Sequence, residues 1–345
     1  MIDFRYHLVS LISVFLALAV GIILGAGPLQ GAIGEQLTDQ VDALRNERNA
    51  LREDIDAAQE NLDEQRRFVD AAGDQLVTGS LAAQRIAVVD VDQVGDDTER
   101  AVLDELDDAG ARVVAHESLT ESWTAADEST LRDTVAGGLR EQLGEEAAGN
   151  LIDDESNTAE LLGAALTVAL TDTDADAPGQ RSSEAQELQQ LLERVGLIEV
   201  ESAPEEPADA ILLLSGGATD MPEEPTEGGD PETMGAAALA TLAGTASELA
   251  ATVLAGPTTT EGDLIATVRG DEELVDTVTT VSGIEQRTGQ IVVPLAIAST
   301  STGVVDQYGF EEGATVLPPP AEQASGDAGG SAAGDQGGSG SGDES

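Results

Sequence analysis

The chain has 345 residues, a formal net charge of −52 and no cysteine, and all fifteen of its basic residues are arginine. The lack of cysteine excludes disulfides, thiolate metal sites and cysteine nucleophiles. The charge excludes a basic patch that would replace the counterions around phosphates, so no nucleic-acid partner is expected. A carboxylate excess without lysine indicates a high-salt or high-GC organism, because salt screens the self-repulsion of an acidic surface.

The N-terminal region contains an apolar, uncharged segment, LVSLISVFLALAVGIILGAG, at residues 8–27. At a helical rise of ~1.5 Å per residue this segment crosses a hydrocarbon core, so it predicts a transmembrane helix. A cleaved signal peptide is the alternative, but Pro28 directly follows the small residues 25–27 and disfavours cleavage there. Arg5 precedes the span, and by the positive-inside rule residues 1–7 are expected in the cytoplasm and the later chain outside it.

A heptad pattern follows the apolar segment over residues 35–76. β-Branched residues among the a positions and leucine at the d positions favour a parallel, two-stranded coiled coil. The predicted dimer seam comprises Leu37, Val41, Leu44, Leu51, Ile55, Leu62, Val69 and Leu76. The alternative is one amphipathic helix that packs on its own globular domain. Inside the span, Gly21 and Gly25 form a small-xxx-small pair that permits close helix packing and agrees with a homodimer.

The region 81–318 alternates short branched runs with stretches of helical spacing. Residues 85–90, RIAVVD, predict a strand, 98–109 predict a helix, and 111–115 predict a second strand. A right-handed crossover makes these two strands parallel. Further strands are predicted at 197–200, 210–214, 251–255 and 277–281, and further helices near 130–143, 158–170, 183–195, 234–247 and 286–300.

The C-terminal segment, residues 319–345, consists mainly of glycine, serine, alanine and aspartate. Such a composition buries too little apolar surface to fold, so it predicts a disordered tail. The predicted fold class is therefore α/β. A transmembrane helix and a coiled coil precede an extracytoplasmic domain with an open, mostly parallel sheet.

Candidate metal ligands lie at the carboxyl end of the predicted sheet. Asp90 and Asp92 follow the first strand, and His116 ends the second strand at the same edge. Open α/β sheets bind ligands at this edge, and the carboxylates suit a hard cation such as Mg²⁺ or Ca²⁺. The alternative is that all three are surface or hydrogen-bonded residues. Ser215-Gly216-Gly217 has N–H groups for an anion, but it lacks the lysine of phosphate loops, which favours a plain turn.

Catalytic groups are scarce. The chain has two histidines, and His7 lies at the membrane entry, so no histidine–carboxylate–serine set can be assembled. No catalytic residue and no cofactor are predicted from the residues themselves. An enzyme stays open as an alternative, because α/β sheets support many activities.

The opening MIDFRYHLVSLISVFLALAVGIILGAGPL, the heptads behind it and the strand RIAVVD resemble the actinobacterial MctB family of copper transport proteins. The similarity continues through ADAILLLSGG at 208–217, VLAGP at 253–257 and TTVSGIEQRTGQ at 279–290. The resemblance implies copper export or copper resistance in the cell envelope, with copper as the only implied metal. The family name also implies an outer-membrane channel.

Two hypotheses follow from the residues and the resemblance together. The first is an MctB-like copper-resistance component that acts through an envelope partner, because one apolar helix does not enclose a pore. Soft ligands for Cu(I) are few, since the chain has no cysteine and its methionines are Met1, Met221 and Met234. The second hypothesis is a non-enzymatic, dimeric coiled-coil scaffold with a protein partner in envelope assembly or septation.

Overall fold

The structure is a computed structural model. It describes residues 4–143, 151–152, 155–217, 235–260 and 262–319. The predicted tail beyond residue 319, together with Met221 and Met234, lies outside the described residues. The chain divides into two compact units, Met1–Phe68 and Val69–Ser345.

One long helix, α1, runs over Phe4–Val77. Its first part, Phe4–Gly25, is long and apolar enough to cross a membrane, as a signal sequence near an N-terminus would also be. The helical hydrogen bonds satisfy the backbone polar groups within the segment itself, as hydrocarbon requires. The predicted span at 8–27 overlaps this segment in all but its last two residues.

The heptad stripe of the first unit is exposed. The exposed fraction of its large apolar residues ranges from 43% at Val41 to 63% at Leu44. The other members of this stripe are Leu37, Leu51, Ile55 and Leu62. A single helix leaves such a stripe in water, whereas a second helix would bury it. Pairing through this stripe stays a prediction.

The last turns of α1 belong to the second unit and pack on its core. Val77 is fully buried, and Val69 packs in part against the same apolar cluster. A Cβ atom at position 73 would collide with the side chain of Ile291, so Gly73 permits a close approach of the two segments. At its C-terminal end the helix therefore packs on its own domain, which is the arrangement expected as the alternative to a dimer seam. Leu76, the last predicted seam residue, is 48% exposed.

Within the described part of the chain, seven strands form one sheet. They are β1 (Arg85–Asp90), β2 (Arg112–Leu119), β3 (Ile198–Ser202), β4 (Ala210–Leu214), β5 (Ala251–Gly256), β6 (Thr279–Ser282) and β7 (Gln307–Tyr308). Their order is β3-β2-β1-β4-β5-β6-β7. All neighbouring strands are parallel except β2 and β3, which are antiparallel. The predicted open, mostly parallel sheet is confirmed.

The remaining helices connect the strands. They are α2 (Asp96–Asp108), α3 (Ser129–Gln142), α4 (Thr158–Thr171), α5 (Ser183–Arg194), α6 (Ala236–Leu249), α7 (Leu264–Gly270) and α8 (Arg287–Thr300). Two 3₁₀ turns, Glu121–Trp123 and Ala126–Glu128, precede α3. The sequence patterns did not predict α7 or β7, which are only 7 and 2 residues long.

Both faces of the sheet are covered by helices, as the two faces of β1 illustrate. Its residues alternate between two apolar clusters: Ile86 and Val88 pack with α2 and α8, whereas Ala87 and Val89 pack with the cluster that includes α4 and α6. From β1 the chain continues to β2 on one side, and from β4 it continues to β5 on the other side. The strand order thus reverses between β1 and β4, and α/β sheets generally bind ligands at the carboxyl ends of the strands near such a switch point.

Candidate metal centre

Asp90 and His116 contact each other near the carboxyl ends of β1 and β2. In the parallel register Asp90 is opposite Ser118, and His116 lies two residues earlier on β2. The Oδ2 atom of Asp90 lies 3.0 Å from Nε2 of His116, and both residues are only 7% exposed. The hydroxyl of Ser118 donates to the same carboxylate oxygen at 3.4 Å.

Two further carboxylates approach the His116 ring from other elements. Glu99, in the first turn of α2, places Oε1 at 3.7 Å from Nε2 of His116. Glu201, on β3, places Oε2 at 3.4 Å from Nδ1 of the same ring. Asp90, Glu99 and His116 each offer a ligand atom within 4.8 Å of the others. One metal ion could bridge these three side chains, while Glu201 contacts the opposite ring nitrogen.

The environment within this cluster raises the pKa values of His116 and Glu99. The hydrogen bond to Asp90 raises the pKa of His116, and the nearby carboxylate charges add to this effect, whereas burial opposes it. Burial and the charge of Asp90 raise the pKa of Glu99. The cluster therefore favours an added positive charge, and a metal ion would compete with protons for the same side-chain atoms. The Oδ1 atom of Asp90 is buried without a hydrogen-bond partner, so it is an acceptor that a metal ion could use.

The donor atoms define which metals fit. One imidazole nitrogen with two carboxylate oxygens suits a borderline divalent ion such as Cu²⁺ or Zn²⁺. The imidazole makes the site less suited to Mg²⁺ or Ca²⁺, which prefer oxygen ligands only. Cu⁺ prefers thiolate or thioether sulfur, and the chain has no cysteine. The residues present thus fit copper in its oxidised form.

Asp92, the third ligand expected from the sequence, is not part of this cluster. Its carboxylate accepts hydrogen bonds from Ser215 Oγ at 2.8 Å and from the backbone N–H of Gly216. Burial raises the pKa of Asp92, and these two hydrogen bonds oppose the rise. A Cβ atom on Gly216 would collide with the backbone oxygen of Gln93, so glycine is required there. The Ser-Gly-Gly segment therefore joins the loop after β4 to the loop after β1. Because the N–H of Gly216 already donates to Asp92, it is not free to bind an anion.

A separate cavity of about 490 Å³ lies near α4 and α6. Its acidic lining comprises Glu155, Glu160, Glu248, Asp271 and Glu273, and no histidine is among its lining residues. Carboxylates without an imidazole lack the mixed donor set found around His116. The candidate centre is therefore assigned to the His116 cluster.

Glu99 and Glu201 are absent from the ligands expected from the sequence. A usable signal existed for Glu99, because it falls in the first turn of the helix that follows the Asp90 strand. However, acidic residues are common in the first turn of a helix because the helix dipole stabilises them there, so this position alone does not indicate a metal ligand. No sequence signal identifies Glu201, since its position depends on how the antiparallel strand pairs with β2.

The fold and this cluster together define a protein with an apolar N-terminal helix and an α/β domain that carries a histidine–carboxylate centre. A family model described as "Copper transport outer membrane protein, MctB" matches residues 1–319. The chain therefore belongs to the MctB family.

Relatives named "Copper transporter MctB" match almost the whole chain. The protein of Mycobacterium tuberculosis (strain ATCC 25618 / H37Rv) is 30% identical over 332 residues, which cover 91% of this chain and 98% of the relative. The protein of Mycobacterium leprae (strain TN) is 30% identical over 327 residues, which cover 93% and 100%. The resemblance found in the sequence is confirmed.

Proposed function

We propose that this chain is a single-pass, membrane-anchored protein of the cell envelope that binds copper and acts in copper export or resistance. The observation that carries the proposal is the approach of two carboxylates, those of Asp90 and Glu99, to Nε2 of His116. The family supports copper as the ion, because the relatives are named copper transporters.

The proposed topology places the N-terminus in the cytoplasm, a span at 8–27 and the α/β domain of 81–318 outside the cytoplasm. Arg5 before the span supports this orientation, since positive charge remains on the cytoplasmic side. In this arrangement the cluster meets copper after the ion has left the cytoplasm. The oxidised ion, Cu²⁺, matches the imidazole and carboxylate donors.

The described residues contain one helix that is long and apolar enough to cross a membrane, and a single helix encloses no path for an ion. We therefore propose that an envelope protein supplies the route across the membrane and that this chain captures or delivers copper beside it. We also propose that residues 35–76 form a coiled coil.

Intracellular copper, measured by elemental analysis under copper challenge, tests this function. We expect copper to rise in a strain that lacks the protein and to return to the wild-type level when the intact chain is restored. Restoration with His116→Gln should leave copper high, whereas His7→Gln, at the membrane entry, should restore the wild-type level. Equal copper with and without the protein would contradict the proposal.

A second function is favoured by the exposed heptad stripe of α1. Its large apolar side chains, from 43% to 63% exposed, match the seam of a parallel dimer in spacing and residue type. We propose as an alternative that two copies pair through this stripe and form a non-enzymatic scaffold for a protein partner in envelope assembly or septation. Cross-linking in membranes should then yield a dimer and partner adducts, and a monomer alone would contradict it.

A further inference from the structure

The pairing of β2 with β3 is irregular beside His116. His116 pairs with Ser202 in this antiparallel ladder. The next residue of β2, Glu117, pairs with Val200, which leaves Glu201 as an extra residue between the two pairs. Such a β-bulge redirects a side chain, and bulges are frequent beside functional sites. Here the carboxylate of the extra residue lies 3.4 Å from Nδ1 of His116.

The two nitrogens of the His116 ring therefore have different neighbours. Nδ1 contacts only the carboxylate of Glu201 among the ion pairs of the described residues, whereas Nε2 faces Asp90 and Glu99. A neutral imidazole carries one proton, and an acceptor at one nitrogen keeps the proton there. In the structure Nε2 itself hydrogen-bonds to Asp90 at 3.0 Å. A cation bound among Nε2, Asp90 and Glu99 would take the place of a proton at Nε2, and the carboxylate of Glu201 would keep the remaining proton at Nδ1.

We propose that Glu201 is a positioning residue that fixes the His116 tautomer, so that Nε2 is the nitrogen donor to a borderline divalent cation such as Cu²⁺ or Zn²⁺. This inference rests on the proposed function, because it concerns the same site. Glu201 does not itself bind the ion. It orients the ring and increases the basicity of Nε2, as carboxylates hydrogen-bonded to metal-bound histidines do.

The bulge gives Glu201 its place beside the ring. His116 itself pairs with Ser202, and the extra residue next to that pair places its carboxylate at Nδ1. Because the side chain of Glu201 is 57% exposed, its replacement leaves the buried core intact, and variants at this position are expected to fold.

Copper affinity of the full chain in detergent provides the first test. Glu201→Ala should weaken Cu²⁺ binding about 10- to 100-fold, the usual effect of losing such a carboxylate. Glu201→Gln retains an acceptor oxygen and should restore part of the loss. Glu199→Ala removes another exposed carboxylate from the same strand and should bind Cu²⁺ as the wild type does.

Nitrogen NMR of histidine in the full chain provides the second test, with Zn²⁺ as a diamagnetic probe. The chain has two histidines, so His116→Gln identifies the signals of His7. We expect Zn²⁺ to shift Nε2 of His116 while Nδ1 keeps its proton. In Glu201→Ala the Nδ1 proton should no longer be fixed, and both nitrogens should respond.

The outcomes separate the two proposals. Wild-type affinity in Glu201→Ala combined with lost affinity in His116→Gln would overturn the role of Glu201 and leave the copper site intact. Metal bound at Nδ1 would also overturn it. Wild-type affinity in His116→Gln would overturn both the site and the inference.

Discussion

A partly buried ion-pair network beside β6 and β7 can be tested quantitatively. Glu311 accepts a hydrogen bond from the hydroxyl of Ser282 at 2.7 Å and one from the backbone N–H of Thr259 at 3.2 Å. Its carboxylate also lies 3.4 Å from the guanidinium of Arg269, which donates to the backbone oxygen of Tyr308 at 2.8 Å. This network joins α7 and β6 to the last described segment of the chain.

Replacing Glu311 with glutamine removes the charge on which this network depends. Burial opposes ionisation of Glu311, but the hydrogen bonds and the charge of Arg269 outweigh it and lower the pKa to about 2. A drop from 4.5 to about 2 corresponds to about 3 kcal/mol of stability at neutral pH. Because the pKa is lowered on folding, this stability is full above about pH 4.5 and is lost as the pH falls toward 2.

Urea unfolding of the full chain in detergent measures the effect, with the fluorescence of Trp123 as the signal. This residue is the only tryptophan and is 1% exposed in the α/β domain. We expect Glu311→Gln to lower the free energy of unfolding by about 3 kcal/mol at pH 7 and by about 2 kcal/mol at pH 3.5. The neighbouring, exposed Glu312→Gln is the matched control, and equal stability of the two variants would refute the reasoning.

Three further predictions concern other parts of the chain. Replacing Leu44 and Leu51 with glutamate should abolish dimerisation by placing charge in the seam, and unchanged sedimentation would refute pairing through the stripe. Burial raises the pKa of Glu117 from 4.5 to about 7, against a hydrogen bond from Gln189. The stability that favours the protonated form is therefore full below about pH 4.5 and is lost as the pH rises to 7. With chelator present, the free energy of unfolding of Glu117→Gln should exceed that of the wild type by about 3 kcal/mol near pH 8 and equal it near pH 4, and parallel pH profiles would refute this. Gly216→Ala should lower the thermal midpoint, because its Cβ would collide with backbone, and an unchanged midpoint would show that the loop yields.

The sequence predicted the elements whose pattern is long or strongly apolar. The strand at 85–90 has the predicted bounds, and the helices predicted near 158–170 and 286–300 lie within a residue of them. Periodicity failed for α7 and β7, since so few residues define no period. It also did not give the antiparallel direction of β3, which depends on how that strand meets the sheet edge.

Part of the candidate centre could be predicted from the order of the strands. Asp90 ends β1, and His116 lies in the second half of β2, which extends to Leu119 and not to the predicted end at 115. Because the two strands are parallel neighbours, topology alone places both residues near one edge of the sheet. Asp92 is two residues further along, where the loop turns toward β4 and its carboxylate bonds to Gly216. Glu201 reaches the centre through a bulge, which no pattern of apolar residues records.

Copper binding by the purified full chain tests the central claim most directly. Titration with Cu²⁺ should show one site per chain in the wild type and in His7→Gln. The same titration should show that site lost in His116→Gln, because the imidazole is the only nitrogen donor of the cluster formed with Asp90 and Glu99. Unchanged Cu²⁺ affinity in His116→Gln would contradict the assignment of the centre.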